Sequence, residues 1–216
     1  MKTPARGNSA RSTTALLVIL AVIAWGVIRA SPASAHARFA RVSEHPIMRP
    51  TPTGYDRLAI TSPSVAKVDG VYYMVYAGWR VKTFQLLGAT SRDGVHWTKR
   101  ATPVLEPSPT QRWMKAGVAE AELRRGSDGT WYVFFTGLGS HDSRAIGIAR
   151  STGGPFGPYV ANPSPIIQRT GDYPKAIAPS VAIDPFGDGR AILYYSYTDE
   201  GEGTWGLRAA TAHEPF

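Results

Sequence analysis

The sequence predicts an all-β fold made of repeated antiparallel units, and three observations lead to this prediction. Aromatic residues and glycines are abundant, with 10 Tyr, 6 Trp, 7 Phe and 22 Gly in 216 residues, which is typical of short strands joined by tight turns. No stretch after residue 35 keeps a helical hydrophobic period for more than two turns. A segment of strand, turn and aromatic strand also occurs three times at a nearly constant spacing.

The first 35 residues have the organisation of an export signal. A basic start precedes an apolar run of 14 residues (15–28), and Ala33-Ser34-Ala35 then fits a cleavage site of small residues. The run is shorter than the roughly 20 residues that a membrane-spanning helix needs, although an uncleaved anchor is the alternative. We therefore predict a signal peptide over residues 1–35, an extended segment over 36–58 and the β-domain over 59–216. The mature protein is then secreted, with no stable insertion in a membrane.

Charge and cysteine content exclude several functions. The formal net charge is +8, but the leader carries four basic residues and no acidic ones, so the remainder carries +4. It has no run of basic residues, and we therefore expect no nucleic-acid partner. The absence of cysteine excludes thiol catalysis and thiolate metal sites. We predict no metal site and no required cofactor, and leave calcium as an open alternative.

The repeat has a period of about 60 residues. Its copies cover residues 62–78, 120–137 and 178–196. The turn glycines are 59 and 60 residues apart, at Gly70, Gly129 and Gly189. A landmark after each aromatic strand keeps a spacing of 60, at Ser91, Ser151 and Thr211. Four strands per unit of this length predict the blades of a β-propeller, whereas hairpin turns inside each unit argue against a parallel solenoid.

The third copy is expected to be incomplete. Pro215-Phe216 matches Pro155-Phe156 of the second copy, which continues into a fourth strand. Propellers close with about four to eight blades. We therefore predict about three blades, the last one cut short, and self-association as one way to complete the ring.

Several phrases resemble the five-bladed propeller superfamily of glycoside hydrolases, with family 43 closest. They are VYYMVYAG, LGATSRDGVHWTK, DGTWYVFFTG, IGIARSTGGPFGPY and APSVAIDPFGDGRAILYYS. The resemblance implies a propeller of the five-bladed type that hydrolyses an arabinan- or xylan-type polysaccharide by carboxylate acid/base catalysis. It places the carboxylates at the start of the innermost strands, before a proline or small residue. The matching positions are Ser62, Glu120 and Ala178, of which only Glu120 is acidic.

Propeller topology places the candidate site residues at one end of the blades. The links between blades and the loops between second and third strands share this end, and the Asp-Gly turns lie at the other. The catalytic candidates are Glu120 and Glu122, which a strand period of two would point to one side. The substrate-binding candidates are Trp79, Arg80, Trp113, His141, Asp142, Asp172 and Tyr173. For the two tryptophans the alternative is packing between blades, and for His141-Asp142 it is a solvated loop.

Together these features predict a secreted glycoside hydrolase with an oligo- or polysaccharide substrate. One alternative is a non-catalytic carbohydrate-binding propeller, which Ser62 and Ala178 favour. Another is a truncated, inactive remnant, which the incomplete third copy favours.

Overall fold

The computed structural model describes residues 39–151, 153–168, 175–198 and 204–216. Residues 42–216 form one compact unit. The predicted signal peptide lies outside the described residues. Within them, eleven strands and one short 3₁₀ helix occur, and no described helix has the length and apolar character needed to cross a bilayer.

The strands form three successive antiparallel blades, as the repeat predicts. Blade 1 contains β1 (Ala59–Val68), β2 (Val71–Arg80), β3 (Thr83–Ser91) and β4 (Thr98–Lys99). Blade 2 follows a 3₁₀ turn (Arg112–Met114) and contains β5 (Gly117–Arg125), β6 (Trp131–Leu138), β7 (Arg144–Ser151) and β8 (Tyr159–Ala161). Blade 3 contains β9 (Ala176–Ile183), β10 (Arg190–Thr198) and β11 (Trp205–His213). One parallel pairing, between Phe84 and Gly117, connects the sheets of blades 1 and 2.

The three Asp-Gly turns that connect the first two strands of each blade differ in length and backbone geometry. Asp69 and Gly70 both have positive φ, 47° and 78°, and they alone connect β1 to β2. This is the geometry of a two-residue hairpin. The connections in blades 2 and 3 are longer, and there Gly129 and Gly189 have positive φ without their preceding aspartates. The sequence motif therefore predicted a turn at each position but not its length.

The hydrophobic core lies between the blades. Val75 and Leu86 of blade 1 pack in one cluster with Val133 and Phe135 of blade 2, and each of these side chains is fully buried. A second cluster joins the opposite face of blade 2 to blade 3; its members include Phe134, Ile148, Val181, Leu193 and Tyr195. Burying one such side chain is worth about 1.5–3 kcal/mol, so the contacts between blades stabilise the domain.

An aromatic contact repeats between successive blades and explains the Pro-Phe landmark. Phe156 packs edge-on against Tyr73 of the preceding blade, with 5.3 Å between ring centroids. Phe216 packs in the same way against Tyr132, also at 5.3 Å. Edge-to-face pairs of this kind add about 0.5–1.5 kcal/mol beyond their buried area. The landmark thus marks a contact with the blade before it.

The outer face of blade 1 is covered by the segment 42–58, which has no regular strand. Its anchor is Asp56, whose side chain is 2% exposed. The carboxylate accepts hydrogen bonds from Lys99 Nζ at 2.5 Å, the Thr51 amide at 2.9 Å and the Tyr76 hydroxyl at 3.3 Å. Burial alone would raise the pKa of Asp56, but the bonds from Lys99 and Thr51 outweigh it and the pKa is lowered. Burial, and then the Asp56 charge, raise the pKa of Tyr76.

In the outer hairpin of blade 3, formed by β10 and β11, the strand register differs by one residue from the register that the sequence repeat implies. Thr136 pairs with Ile146 in blade 2, and the equivalent Ser196 pairs with Leu207 in blade 3. The structural equivalent of Ser151 is therefore Ala212, so Thr211 was the wrong landmark. The longer connection between β10 and β11 accounts for the extra residue.

One face of blade 3 is exposed where the other blades are covered. Leu86 and Ile146 are fully buried against the next blade, but their equivalent Leu207 is 81% exposed. Tyr194 and Trp205 belong to the same face and are also exposed. The surface that carries the contact between blades is thus open on this side of blade 3.

Candidate functional site

Each innermost strand bends at the same position, and these are the positions at which the sequence predicted carboxylates. Ser62, Glu120 and Ala178 have φ of 51°, 50° and 52°. A left-handed backbone costs a non-glycine residue about 1–3 kcal/mol. In every blade the strained residue and its successor lie opposite a single residue of the second strand, which is a β-bulge. Since bulges redirect side chains, the fold provides three equivalent positions from which a side chain can be aimed.

Glu120 is the acidic residue at these three positions, and two neighbours fix its carboxylate. Oε2 accepts a hydrogen bond from the Thr136 hydroxyl at 2.7 Å and another from the Ala178 amide at 3.0 Å. The second bond comes from the left-handed residue of blade 3, so it crosses from one blade to the next. No described residue bonds to Oε1, and the side chain is only partly buried. Two hydrogen bonds thus hold one carboxylate oxygen, and the other has no partner among the described residues.

Glu122 lies in a different environment. Its side chain is 16% exposed, forms an ion pair with Arg124, and accepts a hydrogen bond from Ser64 of blade 1 at 3.3 Å. The bulge between Ala119 and Glu122 interrupts the strand period, so the expectation that Glu120 and Glu122 point to one side from simple alternation is wrong. Glu120 is bound toward blade 3 and Glu122 toward blade 1.

Trp79 and Arg80 lie at the end of β2, at the predicted end of the blade. Trp79 is 38% exposed and stacks on Phe84 with 5.6 Å between centroids and an angle of 11°. Arg80 is exposed and lies over the Tyr55 ring at 5.4 Å. Each side chain therefore has one packed side and one side that is open to solvent.

Trp113 is held firmly by blade 2. It stacks on Phe135 at 5.6 Å, and its indole nitrogen donates to the Pro163 carbonyl at 3.2 Å. A Cβ added at Gly137 or Gly147 would lie only 2.4 or 2.3 Å from the ring, so both glycines are needed for this close contact. The ring thus packs against two strands of blade 2 itself, and its remaining edge lines a surface cleft.

His141 and Asp142 form the turn between β6 and β7, both with positive φ. His141 is exposed and borders the same cleft as Trp113. Asp142 forms ion pairs with Arg144, at 3.1 Å, and with Lys175, which precedes β9. The hydrogen bond from Lys175, followed by that from Arg144, lowers the pKa of Asp142. The other two candidates, Asp172 and Tyr173, lie outside the described residues.

The cleft beside Trp113 has a volume of about 610 Å³ and is formed by three segments at the periphery of blade 2. They are the link before β5, the turn between β6 and β7, and the chain that follows β8. Glu120 does not line it. The candidate residues therefore lie at two separate sites. One is the bent innermost strand with Glu120, and the other is the peripheral cleft with Trp113 and His141. Among the described residues no group of three or more His, Asp or Glu is arranged to hold a metal ion.

Thr136 is a site residue that sequence reasoning missed. It is fully buried on β6 and its hydroxyl fixes Glu120. At the equivalent positions the other blades have Ala77 and Ser196, so the repeat carries no pattern that marks it. The only signal is a polar residue inside an aromatic strand, WYVFFTG, where an apolar one is expected.

No protein-family model and no curated protein matches the sequence. Solved structures do match. A family 117 glycoside hydrolase from the marine bacterium Zobellia galactanivorans is 17% identical, with a TM-score of 0.60 over 75% of this chain and 55% of that one. A thermostable family-43 glycoside hydrolase is 18% identical, with a TM-score of 0.55 over 70% and 54%.

A third similar structure belongs to the GH130 family of mannoside phosphorylases, described as containing glycoside hydrolases that target β-1,2 mannosidic linkages in Candida mannan. It is 17% identical, with a TM-score of 0.55 over 78% of this chain and 57% of that one. The chain thus spans little more than half the length of these three structures. At such low identity the likeness concerns the fold. The predicted fold is confirmed: the described residues form β-propeller blades of the kind found in these glycoside hydrolases.

Proposed function

We propose that the protein is a glycoside hydrolase in which Glu120 provides acid/base catalysis. The observation that carries the proposal is the repeated left-handed bulge, which has a carboxylate only in blade 2. A strained backbone that recurs in three blades belongs to the fold, but the two hydrogen bonds that hold Oε2 are particular to Glu120. Oε1, which bonds to no described residue, is the atom that would give or take a proton at the glycosidic oxygen. The structural neighbours, which are glycoside hydrolases, support the same reaction class.

Hydrolysis of a glycosidic bond uses a pair of carboxyl groups, about 6.5–9.5 Å apart when the configuration is inverted. Glu122 is the second carboxylate on the described innermost strands; it is turned toward blade 1 and paired with Arg124, so it would have to leave this pair to act beside Glu120. We propose an arabinan, xylan or related polysaccharide as substrate, with Trp79 and Arg80 as sugar-binding residues at the end of β2. The proposal includes export: the mature protein would begin after residue 35 and act outside the cell.

A second candidate function is carbohydrate binding without hydrolysis. Ser62 and Ala178 favour it, because the two positions equivalent to Glu120 have no acidic group. The blades and their aromatic residues would serve a binding protein equally well. The two functions differ in one property, the release of new reducing ends.

The proposed hydrolysis can be measured on a panel of arabinan, xylan, mannan and fructan. We expect the wild-type protein to release reducing ends from at least one of them, and Glu120→Gln to be slower by about 10²–10⁴-fold, the usual contribution of a positioned acid or base. Glu44→Gln is the matched control, since Glu44 is exposed on the segment 42–58, and it should retain the wild-type rate. Absence of release from every polysaccharide, with sugar binding retained, would contradict hydrolysis and favour the binding protein.

We further propose that the protein needs no cofactor. Excess EDTA should therefore leave the rate of hydrolysis unchanged, and a loss of rate that calcium restores would contradict this.

We also propose that the exposed face of blade 3 pairs with a second copy of the chain. This face continues the established contact between blades, and β11 has no strand on its outer side among the described residues. We expect the wild-type protein to sediment as a dimer or larger species, and Leu207→Gln to sediment as a monomer. Val160→Gln is the control, because Val160 is 59% exposed on β8 of blade 2. A wild-type protein that stays monomeric at all concentrations would contradict self-association.

A further inference from the structure

We infer that the peripheral cleft of blade 2 binds an anionic saccharide, one that carries carboxylate groups. The cleft is the space between residues 110–115, the β6–β7 turn and residues 163–168. Its volume of about 610 Å³ lies within the range of small-molecule sites in proteins. The inference goes beyond glycosidic hydrolysis, because Glu120 does not line the cleft and the two places can act separately.

The charge of the cleft is its main feature. Arg112, Lys115 and Arg144 line it together with His141, and none of its described lining residues is acidic. Arg112 and Lys115 are exposed and have no hydrogen-bond or ion-pair partner among the described residues. Several cations in one concave place raise the local potential and attract anions. Among the described residues, no acidic side chain lines the cleft to compensate these charges.

Asp142 does not neutralise the cleft. It is the acidic residue of the adjoining turn, and its carboxylate is already shared between Arg144 and Lys175. Lys175 therefore balances the charge of Asp142, which forms no ion pair with Arg112 or Lys115. The pair between Asp142 and Lys175 also connects blade 2 to the start of blade 3, so the turn that carries His141 is fixed.

The other lining groups are suited to hydroxyl groups of a sugar. Ser140, Ser143 and Ser164 offer hydroxyls, and Trp113 provides a rigid wall. Gln111 also lines the cleft, and its Oε1 is the one buried side-chain acceptor without a hydrogen-bond partner in the described part of the chain. Cations beside hydroxyl-binding groups favour a uronic acid over a neutral sugar.

Nucleic acid fits the cleft less well than an acidic sugar. Single-stranded nucleic acid needs a basic groove that follows the backbone, with several aromatic residues on which bases stack. The described lining of the cleft contains one aromatic residue, Trp113, and one face of its ring is already covered by Phe135. The charge is thus confined to one place and does not extend along a track.

The test compares binding of trigalacturonate and of the neutral trigalactose by calorimetry, using the complete mature protein. We expect the uronate to bind at least tenfold more tightly, with an affinity that falls as salt is raised. The double variant Arg112→Gln/Lys115→Gln should lose this preference. The matched control Lys67→Gln/Arg92→Gln removes two exposed positive charges near the opposite ends of the strands and should bind within twofold of wild type.

Four results would overturn the inference. Three of them are equal affinity for the acidic and neutral sugars, an equal loss in both double variants, and tighter binding of a single-stranded oligonucleotide that also depends on Arg112 and Lys115; the fourth concerns a sulfated sugar. A sulfated galactan fragment of the same charge tells the anions apart: binding tighter than the uronate would contradict the carboxylate assignment. Hydrolysis measured in the same variants separates this inference from the proposed function, since the Arg112→Gln/Lys115→Gln variant should still cleave a neutral substrate at the wild-type rate.

Discussion

We expect Asp56→Ala to lower the free energy of unfolding by about 3–5 kcal/mol, the usual cost of removing one partner from a buried charged pair. Asp56 is 2% exposed and ties together the segment 42–58, β2 and β4. Its removal leaves the buried Tyr76 hydroxyl without the acceptor it now uses and the Lys99 ammonium without its counter-charge. Urea unfolding monitored by tryptophan fluorescence measures the difference.

The same variant should show a defined pH dependence. The folded-state pKa of Asp56 is lowered, so its ionisation adds stability above the unfolded-state pKa of about 3.9. This stability is lost as the pH falls through the folded-state pKa. The difference between wild type and Asp56→Ala should therefore be constant from pH 7 to about pH 5 and shrink in more acidic solution. A difference that grows on acidification would contradict the charged pair.

Asp188→Ala is the matched control for Asp56→Ala. Asp188 also pairs with a cation, Arg190, at 2.6 Å, but both side chains are about 40% exposed. Exposed pairs contribute about 0–1 kcal/mol because water screens them. Equal losses of unfolding free energy in the two variants would show that the burial of Asp56 does not increase its contribution to stability.

Trp113→Ala should cost about 3–5 kcal/mol, since it removes a large ring that contacts Phe135 and lies directly on two glycines. Chemical unfolding of the variant measures the loss. Gly147→Ala tests the same contact from the other side: the new Cβ would lie 2.3 Å from the indole ring and 2.7 Å from Phe135. Overpacking of this kind costs about 1–3 kcal/mol.

Trp79→Ala is the comparison for Trp113→Ala, because sequence reasoning gave both tryptophans the same role. Trp79 is 38% exposed and has one stacking partner, so we expect a smaller loss than for Trp113. If Trp79→Ala weakens polysaccharide binding while Trp113→Ala mainly lowers stability, Trp79 has a role in binding and Trp113 has a role in packing. A Trp113→Ala protein as stable as wild type would contradict the packing described for blade 2.

The repeat predicted the blades because each strand and turn leaves a local signal. Alternating apolar residues, Asp-Gly pairs and aromatic strands all act over a few residues, and their spacing of about 60 residues gave the order of strands. The landmark that the sequence spacing placed at Thr211 lies at Ala212 in the structure, and this shift of one residue shows the limit of the approach. The register of β10 and β11 depends on the length of the connection between them. The spacing between landmarks does not reveal this length.

The site was less predictable, because it depends on contacts between blades. Glu120 was found through its position before a small residue, but its partners Thr136 and Ala178 lie on other strands. The bulge that separates Glu120 from Glu122 is a property of strand pairing, and the sequence alone suggested regular alternation. The charge of the peripheral cleft likewise arises from three segments that are distant in sequence.

We propose that Glu120, held by Thr136 and Ala178 on a strained innermost strand, performs chemistry rather than binding. Calorimetric titration of Glu120→Gln with the oligosaccharide that wild type cleaves tests it most directly, with the cleavage rate measured on the same sample. We predict an affinity within a few-fold of wild type and a rate lower by about 10²–10⁴-fold. A Glu120→Gln protein that cleaves the oligosaccharide at the wild-type rate would contradict the claim.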